Sequence, residues 1–125
     1  VSYNDSALID DLSVRTTLAE LSVNAEVSRM LSYRVMWLQG TGRVPNYEAS
    51  VAKTFGSEMS QKSSQMAMQL LGLAGQLEED SKWAPLKGYI ERLYLNVISR
   101  TIAGGTSEVQ RNIIATRGLG LPRGA

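Results

Sequence analysis

The sequence has neither cysteine nor histidine. Without thiols it can form no disulfide, no thiolate nucleophile and no thiolate metal site. Without imidazole it also lacks the commonest general base and the commonest transition-metal ligand. Serine–histidine and cysteine–histidine catalysis are therefore excluded from this chain alone, and no metal site is expected. Neither sign of charge dominates, with 13 Lys and Arg against 12 Asp and Glu. That balance supplies no basic stripe for nucleic acid or for an anionic membrane surface. No apolar run approaches the roughly 18–20 residues of a membrane span, and no signal-peptide pattern opens the chain. The lack of cysteine suits a reducing, cytoplasmic setting. Val1 rather than methionine stands first, which reads as a processed chain or a piece of a longer one.

What is present is the material of one small domain. The 125 residues are 43% apolar and 20% charged, a globular balance. Only Pro45, Pro85 and Pro122 break the pattern, with glycines gathered near them and near the ends. Long stretches free of breakers predict an all-α, up-and-down helical bundle of three long helices and a short C-terminal one, a single domain over 1–125. The first helix spans 6–40, from the capping types Asn4-Asp5-Ser6 to Gly40, with Leu8, Leu12, Ala19, Val23 and Met30 at helical spacing. The second spans 46–72, with Ala52, Phe55, Met59, Met66 and Leu70 as its apolar face and Lys53, Glu58, Lys62 and Gln65 turned to water. Gly56 inside it implies close packing on a neighbouring helix. Leu73–Ser81 reads as a loop whose acidic patch, Glu78-Glu79-Asp80, is solvated. The third helix spans 85–102 with Leu86, Ile90, Leu93, Val97 and Ile98 on one face. No strands are expected. In the short fourth helix Ser107 and Gln110 have capping-box spacing and Gly118 suits the position after the last turn.

Residues 101–117 carry the most information. Ala103-Gly104-Gly105 is a small-residue turn aimed at a helix N-terminus, where another group can approach the backbone closely and free N–H groups favour an electron-rich oxygen. A plain interhelical connection has the same look.

The string Gly105-Thr106-Ser107-Glu108-Val109-Gln110-Arg111 nevertheless resembles the C-terminal signature of the acyl-CoA dehydrogenase family. Three further motifs are similar in order and spacing: Ala49–Lys53 with Phe55–Glu58, Gln69-Leu70-Leu71-Gly72, and Trp83-Ala84-Pro85 with Leu119–Pro122 near the end. The resemblance covers residues 8–122. It implies most of the C-terminal bundle of an enzyme that holds FAD non-covalently at a subunit interface and oxidises an acyl-CoA thioester to a trans-2-enoyl-CoA, with the opening helix of that bundle absent from the chain. It implies a homo-oligomer, dimer or tetramer, with electron-transfer flavoprotein as electron acceptor. Carried over residue by residue, Gln69 and Gly72 match positions that approach the FAD of the neighbouring subunit, and Thr106 and Glu108 match the cofactor-contacting pair after the turn. The Gly104 N–H matches the donor to the thioester carbonyl, an oxyanion-hole role. For Gln69, Thr106 and Glu108 the alternative reading is local: an exposed helix-end amide and simple helix capping.

The chain departs from the family pattern at several positions. Where many members carry the catalytic Glu, Ala103 and Gly104 stand, and neither can take a proton. The chain by itself is therefore expected to be inactive and to hold no FAD, with the base outside it. Leu73 and Ala74 follow Gly72 in place of a glycine and an aromatic, and Leu95 and Asn96 replace an Arg-Asp pair. The alternatives are a non-catalytic partner subunit of the same fold, or an acyl-CoA oxidase or flavin monooxygenase on the same scaffold. A last expectation is physical: three broad apolar stripes without a fourth long helix leave a groove that self-association would cover.

Overall fold

The computed structural model of the chain describes residues 2–3 and 6–123. The fold is all-α, with one small exception that the sequence does not announce. Ser2 and Tyr3 pair antiparallel with Ala7 and Ser6, a ladder of two rungs. No described helix is long and apolar enough to cross a membrane.

Helix α1 runs Leu12–Gly40. It starts six residues later than the capping types suggest, because Asp11 is the cap and accepts the Ser13 N–H at 2.7 Å. Ser6 belongs to the small ladder instead, and Asn4 and Asp5 lie outside the described residues. Twenty-nine residues make α1 about 43 Å long. After a turn at Thr41–Gly42, α2 runs Tyr47–Leu71, with the bounds that Pro45-Asn46 and Gly72 predict. It returns antiparallel along α1, so that Lys62 pairs with Glu20 and Arg34 comes within 4.0 Å of Glu48.

The buried face of α2 is not the apolar one that spacing predicts. Ser50, Thr54, Ser57 and Ser64 are buried, whereas Ala52, Phe55, Met59, Met66 and Leu70 are half-buried. Small hydroxyl side chains let neighbouring helices come close, and Ser57 and Ser64 satisfy themselves by donating back to the Thr54 and Gln61 carbonyls at 3.1 and 2.8 Å. Gly56 does face α1, but a Cβ there would sit 3.6 Å from Ser28 Oγ, an ordinary contact. Close packing does not require the glycine.

The third helix is shorter than expected. A 3₁₀ turn over Gly72–Gln76 opens the segment predicted as loop. Pro85–Gly88 forms a separate turn, α3 proper spans Tyr89–Val97, and Ile98–Thr101 tightens to 3₁₀ geometry. The break at 86–88 has a clear cause. Leu86, Lys87 and Gly88 are all left-handed, and a Cβ on Gly88 would lie 2.6 Å from the Glu79 nitrogen. The chain must reverse there to pass over the 78–79 backbone. Within the acidic patch, Glu79 is not free, since it accepts from Arg92 at 2.6 Å.

Helix α4 spans Ser107–Ile113 and widens into a π turn over Ile114–Gly118. Its cap is Thr106, not Ser107: the Thr106 hydroxyl accepts the Val109 N–H at 3.3 Å. Gly118 is not left-handed; it lies against Tyr47, where a Cβ would meet the ring at 3.1 Å. Helix α2 is the hub, packed on α1, α3 and α4. The buried apolar set among the described residues is small, Val14, Leu38 and Val97, and the stripe Leu12, Ala19, Val23, Met30 that spacing assigns to the core is exposed.

Candidate functional site

The turn singled out from sequence sits on the middle of α2. The Ile102 and Ala103 N–H groups both donate to the Ser99 carbonyl, at 3.1 and 2.8 Å, and so end the preceding 3₁₀ turn. Gly104 and Gly105 then take φ of 68° and 92°, a region that disfavours any side chain. A Cβ on Gly105 would also lie 2.7 Å from Gln110 Nε2, whereas Gly104 has open space.

Both turn carbonyls are tied to the protein. Gln110, buried, donates from Nε2 to the Gly104 oxygen at 2.9 Å, and Lys53 donates from Nζ to the Gly105 oxygen at 2.6 Å. Gln110 therefore serves the turn rather than a capping box. Among the described residues the Gly104 N–H has no acceptor. The turn is thus fixed by its oxygens and offers a donor on its exposed side. Further ties hold it in register on α2: Arg111 to Glu58 at 2.6 Å, Gln61 to the Thr101 hydroxyl at 3.1 Å, and Arg117 to Asn46 at 2.8 Å.

Lys53 and Glu58, expected to face water, face the turn and α4 instead, and Lys62 pairs with α1. The one signal for Lys53 in the sequence is its place in the Ala49–Lys53 motif. A helical wheel ranks it as polar surface because the partner lies 52 residues away. Two hydroxyls in this region, Thr54 Oγ1 and Ser107 Oγ, are buried without partners.

Thr106 and Glu108 form a local pair. The Glu108 carboxyl is held below the usual carboxylate range, first by its own backbone N–H, then by the Thr106 hydroxyl, with the charges of Arg111 and Lys53 adding to the effect. A carboxylate so stabilised is a weak base. Ala103 and Gly104 have no titratable group. The Gly104 N–H can donate a hydrogen bond to an oxygen, and of the carboxylates described beside the turn Glu58 is engaged by Arg111 and Glu108 is held in its charged form.

Gln69 and Gly72 lie elsewhere. Gln69 is 16 residues beyond Lys53 on the same helix, about 24 Å away. Both residues are exposed. Gly72 takes φ 55° and ψ −139°, and its N–H is spent on the Gln69 carbonyl. What it offers is an uncovered face, with no atom within 4 Å of the point where a Cβ would sit. The structure does not bring this corner and the turn together within one chain.

The chain is similar to known proteins in both sequence and fold. The family description that matches, over residues 3–119, is "Acyl-CoA dehydrogenase, C-terminal domain". The acyl-CoA dehydrogenase FadE26 of Mycobacterium tuberculosis is 38% identical over 120 residues, 93% of this chain but 30% of that protein. The solved ChsE4-ChsE5 complex from Mycobacterium tuberculosis superposes with a TM-score of 0.89 at 36% identity, covering 98% of this chain and 32% of that one. The structure described as the Tcur3481-Tcur3483 steroid ACAD gives 0.90 at 31% identity, covering 96% and 31%. The chain spans about a third of the length of the relatives it matches.

Proposed function

Because the chain belongs to the acyl-CoA dehydrogenase family, as its C-terminal helical domain, we propose that it is the cofactor-facing bundle of an FAD-dependent enzyme that oxidises an acyl-CoA thioester to a trans-2-enoyl-CoA. The observation that carries this reading is the Gly104 N–H, left without an acceptor while the two neighbouring carbonyls are held by Gln110 and Lys53. Removing the α-proton of a thioester drives negative charge onto its carbonyl oxygen. A donor already fixed toward that oxygen stabilises the charge without rearranging, and one such donor is worth about 3 kcal/mol.

The residues fit the cofactor that the family uses. Gly72 leaves an open face at one end of α2, and the Thr106–Glu108 pair presents a capped helix start beside the turn. The flavin, when bound, supplies the acceptor for the β-hydrogen as hydride. In this chain Gln69 and Gly72 contact the cofactor of the neighbouring subunit, and Thr106 and Glu108 contact it near the turn; Glu58, the α2 residue tied to α4, is 11 residues or about 16 Å before Gln69, a separation that suits contacts made from two copies. The base comes from residues outside the chain, because positions 103 and 104 are alanine and glycine. Electrons pass on to electron-transfer flavoprotein. The steroid description of one similar structure supports a steroid-bearing acyl group.

A second reading has an observation of its own. The ChsE4-ChsE5 and Tcur3481-Tcur3483 structures are each described as a pairing of two differently named chains. This supports a subunit that completes an active site shared with a different partner, the base lying on either chain.

The test is cofactor retention in the complete protein that carries this bundle. Thr106→Ala with Glu108→Ala lowers FAD occupancy while helical content stays nearly unchanged. Full FAD occupancy in that variant would remove both residues from the site.

A further inference from the structure

Two arginines at the end of the chain have no carboxylate partner. Arg117 lies in the π turn that follows α4, and its guanidinium donates to Asn46 Oδ1 at 2.8 Å, a neutral acceptor. Arg123 comes shortly after, and the chain between them folds back. Gly120 takes φ 69°, and the Leu121 N–H donates to the Ala115 carbonyl at 3.0 Å. Both arginines therefore line one cleft of about 340 Å³, whose other walls are Val109, Asn112, Ile113 and Thr116. The ion pairs among the described residues use Arg29, Arg34, Lys62, Arg92 and Arg111 and leave these two out. Two guanidinium groups on one cleft, neither of them neutralised, repel each other and attract an anion. Their planar donor forks fit phosphate oxygens two at a time. π turns of this kind also concentrate at functional sites.

The place of the cleft indicates which phosphate it receives. Val109, Asn112, Ile113, Thr116 and Arg117 recur at spacings of three and four, so they share one face of α4 and its extension. At the near end Val109 is 49% exposed, and its Cγ1 lies 3.7 Å from the point where a Cβ on Gly105 would sit. At the far end, Arg117 stands about 12 Å further along the helix. The cleft thus leads from the turn that carries the Gly104 N–H to the two arginines. We propose that it takes the coenzyme A portion of the thioester, with Arg117 and Arg123 pairing with its phosphates. This rests on the reading of the turn as the thioester site. The pantetheine arm between thioester and phosphate is uncharged, carries two amides and spans about 15 Å when extended. That is the step from a carbonyl at the turn to a phosphate at the arginines. The walls between suit it, apolar at Val109 and Ile113 and hydrogen-bonding at Asn112 and Thr116.

The flavin also carries a pyrophosphate, so the test separates the two sources. In the complete protein that carries this bundle, KM and kcat are measured with an acyl-CoA and with the matching acyl-pantetheine, and flavin content is followed alongside. Arg117→Gln and Arg123→Gln each raise KM for the acyl-CoA by about tenfold or more. They leave kcat, flavin content and the KM for acyl-pantetheine unchanged. Arg117 also holds Asn46, so Arg123→Gln decides if the Arg117 variant fails to fold. An unchanged KM, equal losses with both thioesters, or a loss of flavin in place of acyl-CoA binding overturns the proposal. A complete protein that oxidises neither thioester refutes the reading of the turn instead. Titration with free coenzyme A then decides the arginines: binding about tenfold weaker in Arg123→Gln upholds them, and no binding or equal binding overturns them.

Discussion

Lys53 on α2 donates from Nζ to the Gly105 carbonyl oxygen at 2.6 Å, joining two residues 52 positions apart in the chain. A charged donor on a half-buried carbonyl is among the stronger single ties, worth about 1.5–3 kcal/mol when desolvated and less here, where Lys53 keeps some water. Lys53→Met is therefore expected to destabilise the chain by about 1–2 kcal/mol. In the complete enzyme it should also slow flavin reduction, because the Gly104 N–H loses its fixed direction. Urea unfolding with an unchanged midpoint would show that the tie adds nothing.

Two glycines should behave in opposite ways. Gly88→Ala combines a left-handed backbone with a Cβ 2.6 Å from the Glu79 nitrogen, and should cost about 2 kcal/mol or more. Gly56→Ala meets only Ser28 Oγ at 3.6 Å, and should be neutral or stabilise by up to about 1 kcal/mol through helix propensity. Thermal denaturation of the two variants separates the cases; equal effects would contradict the packing described.

Acid should loosen both helix starts. The Asp11 carboxyl is held below its ordinary value by the Ser13 hydroxyl and backbone N–H, and that of Glu108 by its own N–H and Thr106. A folded-state value below the unfolded one means that the folded chain binds fewer protons between the two. The stabilisation is thus complete above the ordinary carboxylate range and is lost as pH falls through the lowered folded values. Asp11→Asn keeps a capping side chain but cannot titrate. Its stability relative to the native chain should improve as pH drops, and parallel pH profiles for the two would remove Asp11 from the linkage.

The element count, the two long helices and the position of the turn are legible in the sequence. Their signals are local: Pro45-Asn46 and Gly72 bracket α2, and the small residues at 103–105 mark the start of α4. What stays hidden depends on distant partners. Lys53 reads as solvent-facing until Gly105 is folded onto it. The 85–102 stretch has helical spacing throughout, yet its first turn is left-handed because Gly88 must pass the 78–79 backbone. Helix capping by Thr106 is one of the readings its sequence allows and the one the structure shows, whereas Gln110, spaced for a capping box with Ser107, is drawn to the Gly104 carbonyl. The α1 stripe is apolar, as its spacing indicates, but it is exposed within this chain, since spacing records that a face is apolar and not what lies against it. At the candidate site the motifs include Gly104, Thr106, Glu108, Gln110 and Lys53, but nothing in them says that the last two fasten the carbonyls of the turn.

The central claim is that this bundle presents its Gly104 turn to an acyl thioester beside FAD while the proton is taken by a residue outside the chain. Anaerobic mixing with a saturated acyl-CoA, followed at the oxidised-flavin absorbance, tests it most directly. In the complete protein that carries the bundle the absorbance should bleach as the 2-enoyl-CoA forms, and the 125-residue chain supplied with FAD should produce no enoyl product. Turnover by the 125-residue chain alone, or a bound flavin in the complete protein that no acyl-CoA reduces, would contradict the account.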